Sequence, residues 1–200
     1  MTPSVAPALF ISRQPSMDRC IKPQLVKLTK IEAARRQIES AIWLWFLDGD
    51  PVSIQTLAAA ADRTLLELAD LWGARAWPST ARYVPKQPWS AGEVRTDDAV
   101  TFFKEAKDEE SYEVSKQWTE LYLFDAVMAY SNLASNQCGS ALMSTFVVRF
   151  GVERPELFVQ DAFSLLERRI SKSFNFERLE RLSKIEFLNE FLGFLGRPLE

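Results

Sequence analysis

The stretch SAIWLWFLDGDPVSIQTLAAAA, residues 40–61, decides how the fold is read. An apolar run over 41–47 stops at Asp48-Gly49-Asp50-Pro51, and a second apolar pattern begins at once. A membrane-spanning helix needs about 20 apolar residues, so this run is too short to cross a bilayer. A calcium loop opening on Asp48-Gly49-Asp50 needs later oxygen ligands and a bidentate glutamate, which the residues that follow lack. The consistent reading is a helical hairpin. Thr29 and Glu32 have the spacing of a capping box. Ile31, Ala34, Ile38, Ala41, Ile42 and Trp45 then recur at helical intervals, predicting a helix over 30–47. Trp43, Leu44, Phe46 and Leu47 widen its apolar surface almost all round, which places its second half centrally or against a second subunit. Gly49 is expected to take a positive φ just past the helix end. Asp50 caps the next helix and Pro51 suits its first turn. That helix is expected to reach about residue 71, with Ile54, Leu57, Ala58, Ala61, Leu65 and Leu68 on its inner face.

Working outward, residues 1–24 carry Pro3, Pro7, Pro15 and Pro23 without apolar periodicity. They read as a disordered arm, inside which Met17 offers an internal start. Residues 73–94 form an irregular connector broken by Pro78, Pro85 and Pro88. Its Trp77, Tyr83 and Trp89 either pack on the hairpin or line an aromatic binding groove. Further helices are expected over 96–107, 118–134 and 140–150, then from Pro155, burying Phe158, Ala162, Leu165, Leu166 and Ile170. A last one starts after Asn175, with Phe176, Leu179, Leu182, Ile185, Leu188, Leu192 and Leu195 in one stripe. Phe187, Phe191 and Phe194 widen that stripe, either docking into the chain's own core or forming an interaction surface for a partner. The expected architecture is all-α: a single-domain bundle of about seven helices over 25–200, preceded by the arm.

Composition excludes more than it assigns. The chain has no histidine. That removes Ser-His-Asp and Cys-His nucleophile systems and histidine-ligated zinc or iron. Cys20 and Cys138 fit no zinc or redox spacing, which suits a reducing cytoplasm. Neither of the glycine-rich phosphate-binding patterns occurs. The carboxylates of Asp97-Asp98 and Asp108-Glu109-Glu110 read as helix capping and a solvated turn, so no metal or cofactor is expected. The net charge of −3 and pI near 5.3 disfavour a nucleic-acid partner without excluding a local basic patch.

The residues KIEAARRQIESAIWLWFLDGDPVSIQTLAAAA, over 30–61, and FFKEAKDEE, over 102–110, resemble a group of small bacterial all-α proteins, distantly similar to HEPN-type bundles. The resemblance implies an all-α domain and no settled activity. It suggests histidine where this chain has Gln55 and Glu105, so imidazole chemistry at those positions is lost here. Gln55 and Glu105 are expected to meet across two helices as a polar contact. The functional expectation is a non-enzymatic cytoplasmic helical protein acting through protein–protein contact, as a homodimer. The alternative is a small-ligand or nucleic-acid binding module in a degenerate HEPN-like bundle.

Overall fold

A computed structural model describes residues 26–73, 114–134, 139–170 and 175–195 of the chain. The arm, the connector with Trp77, Tyr83 and Trp89, the helix expected over 96–107 and both cysteines lie outside these residues. Those described form α1 (Lys30–Phe46), α2 (Pro51–Leu71), α3 (Lys116–Leu133), α4 (Ala141–Glu153), a 3-10 turn (Pro155–Leu157), α5 (Gln160–Ile170), α6 (Phe176–Arg181) and α7 (Lys184–Leu195). Among them there is no strand, and no helix is long and apolar enough to cross a membrane.

The hairpin forms for the reasons its sequence contains. Thr29 accepts from the Glu32 amide, and the Glu32 carboxylate accepts in turn from the Thr29 amide. At the other end Leu47 is the C-cap. The Asp48 amide donates to Trp45 O at 3.2 Å and the Gly49 amide to Leu44 O at 2.8 Å. These two bonds are the Schellman closure of a helix. The left-handed residue is therefore Asp48, with φ 49°, and not Gly49 as the sequence suggested. The helix stops one residue early, which moves the left-handed position back by one. Gly49 is needed for another reason: a Cβ there would stand 3.0 Å from Leu44 O. Asp50 then caps α2 by accepting from the Val52 and Ser53 amides.

α1 and α2 pack side by side, and α3 lies along both. Ala34, Ile38, Ala41 and Ile42 face Ala58, Ala61 and Leu65 within one core, where small side chains let the backbones approach. The most enclosed helices are α3 and α4, not the apolar second half of α1. Thr119 through Phe124, Ala126, Val127, Ala129 and Tyr130 are all buried, whereas Trp43 and Leu47 of α1 are 46% and 60% exposed. α4 packs on α1 and α3, and α7 closes over α1 and α4. An aromatic seam joins these elements. Trp45 meets Phe46 and Phe146 edge-on, each at 4.9 Å, and Phe124 stacks on Phe150 at 5.0 Å.

Three expectations for the second half need correction. The helix expected from Pro155 is a 3-10 turn followed by a break, because Phe158 adopts extended backbone and turns its ring onto Phe124 and Phe150. Within α5, Leu165 faces outward, 59% exposed, instead of inward. The single helix expected after Asn175 is two, divided at Leu182, whose extended backbone ends α6. Ser183 opens α7 with its own capping box to Glu186. The new direction buries Phe187, Leu188 and Phe191 and leaves Ile185 exposed. The buried Arg149 guanidinium ties α4 to both pieces, donating to Leu179 O at 2.9 Å and lying 5.2 Å from the Phe187 ring centre.

Candidate functional site

The hairpin turn, the start of α3 and the start of α7 converge around a cavity of about 180 Å³. Trp45, Asp48, Gly49, Pro51, Ile54, Lys116, Thr119, Glu120 and Lys184 line it. Its inner wall is built on Glu120. That carboxylate is buried in α3 on the same face as Phe124 and Val127, four and seven residues on. One oxygen accepts from the Trp45 indole N–H at 3.1 Å and the other from Arg154 Nη2 at 3.1 Å. Both bonds satisfy an acceptor whose burial alone would be costly.

Lys184 is the second charge of the wall and is half-buried. Its ammonium donates to Trp45 O at 3.2 Å, stands 3.3 Å from Asp48 Oδ1, and lies 3.8 Å from the centre of the Trp45 ring. The side chain is only 11% exposed, so these partners replace most of its water. Lys116, on the rim, reaches the same Asp48 oxygen at 3.6 Å. Partial burial works to raise the Asp48 pKa, but the ammonium groups of Lys184 and Lys116 outweigh it and hold the carboxyl below its ordinary value of 3.8. This explains an aspartate in the left-handed position. Aspartate tolerates that backbone better than most residues, and its charge joins α1 to α3 and α7.

Gln55 is buried and faces Thr119, with 3.4 Å between its Oε1 and the Thr119 hydroxyl. That hydroxyl also lies 3.0 Å from Ser115 O, and it has one proton to give. Glu105, the partner expected for Gln55, lies outside the described residues. Phe187 and Phe191 are buried and stacked on each other at 5.5 Å, so of the two alternatives for those rings, the chain's own core or a partner surface, they take the core. The Phe194 side chain lies outside the described residues, as do Trp77, Tyr83 and Trp89.

Sequence reasoning named Gln55 but missed Trp45, Asp48, Lys116, Glu120 and Lys184 as a group. A signal existed for two of them. Glu120 interrupts the apolar face that continues through Phe124 and Val127, and Lys184 shares a face with Phe187, Leu188 and Phe191. A charge on an inward face is the pattern of a buried polar site. Among the described residues no three potential metal ligands of the Cys, Asp or Glu type gather in one place. Compared with protein-family models, with curated proteins and with solved structures, the chain matches none.

Proposed function

We propose that this chain is a cytoplasmic, non-enzymatic binding module that holds a small molecule in the cavity between the hairpin turn, α3 and α7. The observation that carries the reading is a half-buried ammonium and a buried carboxylate beside the apolar Ile54 and Pro51 in one small cavity. A few fixed polar groups in an apolar recess are the usual make-up of a ligand site. Glu120 is engaged by Trp45 and Arg154, and Asp48 by two lysines. Charges fixed in this way suit recognition better than proton transfer. Native mass spectrometry of the freshly purified full chain tests this. The reading expects a small-molecule adduct that is lost on harsher activation. Protein free of adduct, and still free after incubation with a metabolite-sized fragment library, contradicts it.

A second reading, protein–protein contact through a homodimer, has its own observation. Trp43 and Leu47 lie one turn apart on the outer face of α1 and are exposed. Two side chains supply much less than the roughly 800 Å² per partner of a standard interface, which ranks this reading second. Light scattering at increasing concentration tests it: a dimer abolished by Trp43→Ser supports it, and a monomer throughout refutes it.

A further inference from the structure

We infer that the cavity takes a small monocarboxylate with a short aliphatic tail; this rests on the binding reading above and names the ligand class. Charge at the hairpin turn favours an anion. Two ammonium groups, Lys116 and Lys184, share the single carboxylate of Asp48, while Arg154 is taken up by Glu120 and Glu156. An incoming anion beside Asp48 meets both ammonium groups.

Most donors of the wall are already engaged. The two oxygens of Glu120 hold the indole N–H and Arg154. The three ammonium protons of Lys184 face Asp48, Trp45 O and the Trp45 ring. Lys184 therefore acts as a fixed positive charge in the wall. Among the described residues Lys116 makes one ion pair, a long one at 3.6 Å, to an Asp48 that is itself 65% exposed, and no second acceptor among them takes its other protons. Lys116 also stands at the first position of α3. That helix start has no side-chain cap and no acidic residue in its first turn, so the positive end of the helix adds to the lysine's field. Asp48 is thus a resident carboxylate competing for the ammonium groups that a ligand carboxylate would use.

Size and lining set the rest of the ligand. About 180 Å³ holds on the order of six water-sized groups, enough for a carboxylate and a few carbons but not for a nucleotide. Ile54, Pro51 and the Trp45 edge give the tail an apolar wall.

Isothermal titration of the full chain tests the inference, with sodium butanoate, butylamine and butanol compared at one ionic strength. Butanoate is expected to bind saturably and the other two not. Lys116→Gln is expected to weaken butanoate about tenfold, the loss of one charge-assisted hydrogen bond. Asp48→Asn removes the resident competitor and is expected to tighten butanoate a few-fold. A residue that merely supports the fold does not give opposite signs in two folded variants, and thermal melts establish that both are folded. Preference for butylamine or butanol overturns the carboxylate assignment while leaving a ligand site. Equal butanoate affinity in the parent and both variants overturns it too, by placing binding elsewhere. Tight binding only of a peptide with a free C-terminal carboxylate overturns the free-metabolite form. Silence with all three probes overturns the inference, and adduct-free native spectra beside that silence remove the binding reading as well.

Discussion

Replacing Glu120 by alanine is the sharpest structural test of the site. The carboxylate is 4% exposed and carries both the Trp45 indole N–H and the Arg154 guanidinium. Its loss strands a buried indole donor, which costs about 1–3 kcal/mol. Breaking a fully buried ion pair costs about 3–5 kcal/mol, but Arg154 is 29% exposed and has Glu156 at 4.0 Å, so its share falls to about 1 kcal/mol. The expected total is about 3 kcal/mol. For a chain of this length that lowers the melting temperature by roughly 6–12 °C. Glu120→Gln keeps an oxygen for the indole but puts an amide N–H2 donor where Arg154 had its acceptor, and should cost about half as much. Urea unfolding at pH 7 with an unchanged m-value is the assay. The reasoning fails if Glu120→Ala lies within about 0.5 kcal/mol of the parent. It also fails if glutamine is as damaging as alanine, because the loss would then owe nothing to the indole acceptor.

Other expectations follow from the turn and from the α6–α7 break. Asp48→Ala should be less stable than Asp48→Gly by about 1 kcal/mol, since both lose the ion pairs and only glycine relieves the left-handed backbone; equal urea midpoints would remove that cost. The depressed Asp48 pKa contributes stability that is fully present above the ordinary 3.8 and is lost as pH falls through the lower folded value. Asp48→Asn should therefore show a shallower loss of stability in acid below that pH, measured by thermal melts, and parallel curves would contradict the linkage. Ser183→Ala should cost about 1 kcal/mol in urea by removing the cap that starts α7, and no change would show that the break is held by packing alone.

The parts of the fold that were legible in the sequence are those set by local chemistry. The capping box at Thr29, the Asp50-Pro51 start and the spacing of Ala34, Ile38, Ala58 and Leu65 each act within one or two turns, so the hairpin was readable. The same chemistry sat in Ser183 and Glu186, and the continuous apolar stripe beyond Asn175 concealed it. The position of the left-handed residue depended on a one-residue difference in where α1 ends, which periodicity does not resolve. The site was hidden for a different reason. Trp45 meets Glu120 across 75 residues and Lys184 across 139, and no local pattern specifies such pairings. What the sequence did contain was charge on inward faces, at Glu120 and Lys184.

The central claim is that the cavity beside Trp45 receives a small ligand. The most direct measurement is a backbone-amide NMR titration of the full chain with short carboxylates. The account predicts saturable shifts concentrated at residues 45–55, 116–120 and 184. Shifts that stay absent to saturation limits, or that fall on the outer face around Trp43 and Leu47, would contradict it.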